Sequence, residues 1–203
     1  MKGLSEMSET KIRILEESLA LFSVRGYDGV SMSDIAEAVG IKASSIYKHY
    51  NGKEAIFSSI IKLFEDKTES IFQNGLLEDR EYKYISKEIL VEMIQQSFRL
   101  YAEDSYLASC RRLFMISSFS RPDISSLYMK YFIEFPMQYQ SKLFDNLLEA
   151  SAIQIRDTTV MAYHFYSPIF VILQEVDYKK LTIEAALEKI NKVVIQFMEV
   201  YQL

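Results

Sequence analysis

Between Gly40 and Lys53 the chain carries Lys42, Lys48 and Lys53 together with His49, and no aspartate or glutamate lies among them. A short run with three fixed positive charges and no carboxylate suits a polyanion, because each lysine can neutralise a phosphate and displace its counterion. The whole chain speaks against that chemistry at first count, with 23 basic and 28 acidic side chains and a net charge of −5 over 203 residues. The distribution resolves the conflict. Residues 1–55 are nearly balanced, with Glu6, Glu9, Glu16, Glu17 and Asp28 preceding the motif, and most of the negative charge lies beyond residue 55. Positive charge is therefore focused on one short segment, and local charge decides where a polyanion docks. Three lysines are also what an ordinary solvated face carries, so their place on a structural motif has to carry the argument.

Other chemistries find little material. Cys110 is the single cysteine, which excludes an intramolecular disulfide and a cysteine-based zinc site. His49 and His164 are the two histidines, too few for a His-rich metal centre, and no cofactor is expected. No Ser-His-Asp set, phosphate-cradling glycine loop or metal-spaced His/Glu cluster is legible, so the sequence does not read as an enzyme. Residues 1–9 lack the basic and apolar regions of a secretory signal. The longest weakly polar stretch, Val160 to Leu173, falls short of the roughly 20 apolar residues that cross a bilayer. These features point to a soluble cytoplasmic protein.

The elements that would position the basic run are helices. Only 6 glycines and 3 prolines punctuate the chain, and apolar residues recur at three and four, which makes the expected fold all-α. Glycines concentrate at Gly26, Gly29, Gly40 and Gly52, so short helices with tight turns should fill the first 55 residues and longer ones follow. Ser31 can cap a helix with Asp34 three residues on as its capping-box partner, and Ile35, Ala36 and Val39 give that helix an apolar face. Gly40 suits the left-handed residue after it. A second short helix is expected from about Lys42 to Lys48, with Ile46 inward and Tyr50 closing the core. Two such helices joined across a glycine form a helix-turn-helix, and they must lean on a preceding helix bearing Ile14, Leu15, Leu21 and Phe22. Asn51 and Glu54 form a further expected capping box at the start of a helix running from Lys53 towards Phe72.

The run from Ile14 to Phe57 resembles the TetR-type transcriptional regulators. The features that match are Ile14-Leu15, Leu21-Phe22, Gly26-Tyr27, Ser31, Asp34-Ile35-Ala36, Gly40, Ile46-Tyr47-Lys48-His49-Tyr50 and Lys53-Glu54. The spacing is gap-free over about a quarter of the chain; beyond residue 68 the likeness is architectural. The resemblance implies a helix-turn-helix domain over 8–68, with the motif at 31–50, and a helical effector-binding and dimerisation domain over 69–203. It assigns phosphate contacts to Tyr47 and His49, and makes Ser31, Lys42, Ala43, Ser44, Ser45, Lys48 and Lys53 the remaining candidates on DNA. Lys42 stands where the family often has Ser, Ser44 where Gly is frequent and Gly52 where Ser is frequent; these departures bear on which bases are read.

In the rest of the chain, helices are expected near 84–104, 106–118, 123–150, 157–176 and 182–201. Pro136 should kink or split the third, and Thr182 should cap the last. The 157–176 helix is apolar nearly all round and needs cover on every side. With the striped last helix it resembles the surface through which TetR-type proteins dimerise, which makes a homodimer the expected assembly. Phe98, Tyr101, Tyr106, Phe114, Met115, Tyr128, Tyr131, Phe135 and His164 are the residue types that line apolar effector pockets, and also those that fill a plain helical core. His164 among aromatics reads more simply as a hydrogen-bonded core residue, and Cys110 as a buried thiol.

The expectation is a sequence-specific DNA-binding regulator, a ligand-responsive repressor of a pseudo-palindromic operator. An alternative is a DNA-binding adaptor controlled by a protein partner, its helical body filled and without a small-molecule site.

Overall fold

The computed structural model describes residues 8–74, 86–149 and 157–203, and every regular element among them is helical. In chain order these are α1 (Glu9–Arg25), α2 (Met32–Val39), α3 (Ala43–Ile46), α4 (Lys53–Asn74), α5 (Lys87–Glu103), α6 (Ser105–Ser117), α7 (Pro122–Met129), a π-helical turn (Lys130–Glu134), α8 (Phe135–Glu149), α9 (Thr158–Asp177) and α10 (Ile183–Tyr201). Packing divides the chain into two units, one of Met1–Gly75 with Ser105–Tyr128, the other of Leu76–Asp104 with Met129–Leu203. Nothing in the sequence announces that α6 and α7 pack with the N-terminal helices.

In the first unit α1 is the spine. Its buried residues Ile14, Leu15, Ser18, Leu19 and Phe22 recur at the helical period and form one stripe. Ile35, Ala36 and Val39 of α2, Ile46 of α3 and Tyr50 are buried on one side of the unit's core, and Ile56, Phe57, Ile60 and Phe64 of α4 complete it. From α6, Phe114 meets Phe64 edge to face at 5.0 Å, and Tyr106 Oη donates to the Ile60 carbonyl at 2.9 Å. Gly26 sits at φ +71 where a Cβ would come within 3.2 Å of Ile116, so glycine answers both the backbone angle and the close approach of α6.

The second unit packs α5, α8, α9 and α10 around Phe144, Phe165 and Phe197, whose ring centroids lie 4.8–5.4 Å apart. The α10 stripe buries Ala186, Leu187, Ile190, Val194, Phe197 and Met198, and Thr182 caps that helix as expected. Pro136 has the anticipated effect by a specific route. The helix widens into a π turn at Lys130–Glu134, with the Phe135 N–H donating back to the Lys130 carbonyl. The Phe132 carbonyl, whose α-helical donor would be the N–H that Pro136 lacks, accepts instead from Tyr166 Oη of α9 at 2.8 Å. No helix among the described residues is long and apolar enough to cross a membrane.

Candidate nucleic-acid interface

Three helices set the geometry. Ser31 Oγ accepts from the Asp34 N–H at 3.1 Å, and the Ser31 N–H donates to Asp34 Oδ2 at 2.7 Å, closing the capping box. The Ser31 hydroxyl also donates to that carboxylate. Those bonds, with Arg25 nearby, hold the Asp34 carboxyl below its ordinary range. Gly40 is left-handed at φ 72 and ends α2, its N–H returning to Ala36 and Glu37 carbonyls. Two arginines of α1 pin α2 at its ends. Arg25 pairs with Asp34 at 2.8 Å near the start, and Arg13 donates to the Val39 carbonyl at 2.9 Å at the finish, where the helix dipole favours a cation.

The second helix of the motif is shorter than its sequence suggests. It runs Ala43–Ile46 rather than to Lys48, then tightens: Lys48 N–H reaches the Ser45 carbonyl at 3.3 Å and His49 N–H the Ile46 carbonyl at 2.8 Å. The tightening brings Tyr50 inward, 4 % exposed, its hydroxyl donating to the Lys11 carbonyl at 3.3 Å and its phenol pushed up to about 12 by burial. Lys42, at the cap position, makes no side-chain cap bond.

Ile46 is fully buried, and the side chains around it divide accordingly. Lys42, Ser44, Tyr47 and Lys48 are exposed; Ala43, Ser45 and His49 are half-buried. Tyr47 is 57 % exposed, an aromatic that packing leaves in solvent while Tyr50, three residues on, is taken into the core. Ser31 is exposed too, with its hydroxyl engaged by Asp34.

One expectation at the start of α4 needs correction, and one candidate there has partners within the protein. The Asn51–Glu54 capping box does not form around a helix that begins at Lys53, and the Glu54 carboxylate is used elsewhere: it accepts from Tyr27 Oη at 2.5 Å and from Arg121 at 3.3 and 3.4 Å. Lys53 is half-buried, and its ammonium donates to the Tyr27 and Val30 carbonyls at 2.9 and 2.8 Å while lying 4.2 Å from the Tyr27 ring centroid. It ties the turn that leads into α2. Arg13, Arg25 and Arg121 were not among the candidates, because their partners Val39, Asp34 and Glu54 lie 9 to 67 positions away and no local spacing marks those pairs.

The aromatic candidates for an effector pocket separate. Phe114, Met115, Tyr128 and Tyr106 belong to the first unit, and Phe98, Tyr101, Tyr131, Phe135 and His164 to the second. Phe114 and Phe98 are buried in the cores of their respective units. His164 is hydrogen-bonded, as expected, but it is not a core residue: it is exposed on α9, with Nδ1 paired to Tyr201 Oη of α10. Cys110 is fully buried. An open groove of about 310 Å³ on the second unit is lined by Met137, Gln138, Ser141, Lys142, Asp145, Thr159 and Tyr163, none of them a predicted pocket residue. The described residues contain no cluster of His, Cys, Asp and Glu fit to hold a metal ion.

Comparison with known proteins agrees with this geometry. Residues 14–60 match the family of bacterial regulatory proteins of the tetR type. Over 98 residues the chain is 29% identical to the biofilm operon icaADBC HTH-type negative transcriptional regulator IcaR of Staphylococcus aureus (strain Newman), covering 46% of this chain and 52% of that one. The IcaR of Staphylococcus epidermidis is 40% identical over 52 residues, 26% of this chain and 28% of its own. The chain thus spans about half the length, or less, of the relatives it matches. Among solved structures, MexZ of Pseudomonas aeruginosa superposes with a TM-score of 0.70 at 13% identity, covering 96% of both chains. A tetR-family regulator from Mesorhizobium loti does so with a TM-score of 0.63 at 20% identity, over 96% of this chain and 99% of that one. The likeness to the tetR family of bacterial regulatory proteins is thus carried by residues 14–60, the segment that holds the helix-turn-helix.

Proposed function

We propose that the chain is a sequence-specific DNA-binding transcriptional regulator, a repressor that holds a pseudo-palindromic operator as a homodimer and releases it when a small apolar effector binds. The observation that carries the reading is the outward row Lys42, Ser44, Tyr47 and Lys48 around buried Ile46, on a helix-turn-helix whose first helix is capped and tied by Ser31, Asp34, Arg25 and Arg13. In this reading Lys42, Ala43, Ser44, Ser45 and Lys48 meet base edges or nearby phosphates, and Tyr47 and His49 meet the backbone. The repressing sense follows the similarity to IcaR, described as a negative regulator. The domain limits 8–68 and 69–203 belong to the same proposal.

Dimerisation through α9 and α10 is supported by what those helices leave uncovered. Val160, Tyr163 and Val171 of α9 and Ile195 and Val200 of α10 are large apolar side chains 38–63 % exposed. A two-fold dimer would present two copies of α3 to successive half-sites. Sequencing the DNA fragments retained by the purified protein tests the function directly: an enriched inverted repeat is expected, and retention without sequence preference would overturn it. Sedimentation should show a dimer at micromolar concentration; a monomer that binds the operator with full affinity would remove the α9–α10 interface.

The second unit also supports the alternative, an adaptor switched by a protein partner. Phe98, Phe144, Phe165 and Phe197 are all buried in one hydrophobic core, so aromatic richness there is accounted for by packing. Release of the retained DNA by a small apolar compound favours the sensor, and release only by a protein favours the adaptor.

A further inference from the structure

The turn from Gly26 to Val30, which delivers the chain to the Ser31 cap of α2, is gripped from outside the motif. From the end of α6, Ser117 Oγ accepts the Tyr27 N–H at 3.1 Å, and Ser120 Oγ donates to Asp28 at 3.3 Å. From the loop between α6 and α7, Arg121 lies with its guanidinium carbon 4.3 Å from the Tyr27 ring centroid and 5.3 Å from that of Phe57. The same guanidinium forks onto Glu54 in the first turn of α4, whose other oxygen contact is the Tyr27 hydroxyl. Asp123 holds Arg121 from behind, at 3.0 and 2.5 Å. The Arg121 side chain is only 20 % exposed, against 62 % for Glu54. Arg121, and next to it the Tyr27 hydroxyl bond, keeps the Glu54 carboxyl below its ordinary range. A planar guanidinium serving two carboxylates and an aromatic ring at once is a fixed geometry that a lysine could not reproduce.

We propose that Arg121 is a positioning residue for operator binding: acting through Glu54 and Tyr27, it fixes the start of α4 and the turn into α2, and so the aim of α3. The proposal rests on the DNA-binding reading and adds to it a residue 67 positions from its partner in sequence. Groups that contact a ligand work only when a supporting shell holds them in place. Here that shell comes from the loop between α6 and α7, through bonds to Glu54 and the ring of Tyr27. Removing Arg121 frees the Tyr27 ring and the Glu54 carboxylate from their shared partner, leaves the turn to Lys53, Ser117 and Ser120, and unmasks the Glu54 charge.

The test is a cycle of Arg121→Ala, Glu54→Gln and the double variant, measured against the selected operator and an unrelated duplex over a range of salt. Each single variant should lose about tenfold in operator affinity, as expected for groups coupled in one network, and the double should lose no more than the worse single. Affinity for the unrelated duplex and the salt slope should stay as in the wild type. A purely structural arginine would lower the melting temperature and leave the affinity of the folded fraction untouched, which overturns the proposal. So would losses that multiply in the double variant. A salt slope reduced by about one would show that Arg121 touches phosphate itself, which also overturns it. If Arg121→Ala fails to fold, Arg121→Lys, which keeps the charge and loses the fork, runs the same cycle with Glu54→Gln. Wild-type protein that retains no DNA ends the DNA-binding reading and this proposal with it; wild-type binding unaffected by the variants ends this proposal alone.

Discussion

The helix-turn-helix and the second unit use polar and aromatic side chains in opposite ways. Around α2 and α3 the helices are too short to stand alone, so the structure spends its polar groups on caps and ties: Ser31 with Asp34, Arg25 with Asp34, Arg13 with the Val39 carbonyl, Lys53 with the turn before α2. On α3 and the turn after it, Lys42, Ser44, Tyr47 and Lys48 stay exposed and outside that network. In the second unit the helices are long, and its aromatic residues go to the core first. A phenylalanine there says nothing about ligands until its neighbours are known. The contrast teaches that surplus is informative in a small, heavily tied unit and uninformative in a large, well-packed one.

The comparison breaks most directly at Phe144. It is fully buried and touches both Phe165 and Phe197, so Phe144→Ala should cost about 3–5 kcal/mol in chemical denaturation. A loss below about 1 kcal/mol would mean that the aromatic trio is not the packing centre and could yield to a ligand.

A sharper contrast lies between two lysines that the sequence treats alike. Lys53→Ala removes an ammonium that donates to two carbonyls, and charge-assisted bonds of this kind contribute about 1.5–3 kcal/mol, towards the lower end for a half-buried group. Lys48→Ala removes an exposed cation and should change stability by no more than about 0.5 kcal/mol, while weakening operator binding and lowering the salt slope by about one. Equal stability losses would erase the distinction between a tie and a contact.

How much of this was legible in the sequence follows from the range of the interactions. The all-α fold, the Ser31–Asp34 box, the Gly40 turn, the Thr182 cap and the break near Pro136 are all encoded within a few residues, and each is present. The exposed face of α3 was legible for the same reason. The helix that was expected to reach Lys48 stops at Ile46 because Tyr50 turns inward, a demand of the core rather than of local propensity. Glu54 has the spacing of a capping partner for Asn51, yet Arg121 and Tyr27 compete for its carboxylate and prevail. Aromatic composition alone could not separate Phe114 from Phe98, which belong to different units, nor show that His164 is exposed.

Two glycines extend the contrast to the backbone. Gly26 combines φ +71 and ψ 166 with a near approach to Ile116, whereas Gly40 is left-handed with open space around its missing Cβ. Gly26→Ala should therefore cost more than Gly40→Ala, both within the range of about 1–3 kcal/mol for such conformations. Thermal melts of the two variants decide it. The reverse order would mean that α6 yields at Ile116 and that the first unit is less tightly tied than its contacts suggest.

The smallest effect tests the capping network itself. Ser31→Ala should cost about 1 kcal/mol, as for other lost side-chain caps. It also removes the first cause of the lowered Asp34 carboxyl, whose titration should move back up towards 3.8 in a carbon-detected NMR experiment. The sign for stability follows. A carboxyl whose folded pKa is depressed stabilises the fold above its unfolded pKa and loses that contribution as pH falls through the folded value. Wild type should thus lose more stability than Ser31→Ala on acidification from about pH 5 to 2, and the two should converge in acid. Parallel curves over that range would show that the Ser31–Asp34 pair does not hold α2. The exposed row Lys42, Ser44, Tyr47 and Lys48 would then no longer be set apart by the capped and tied helix beside it.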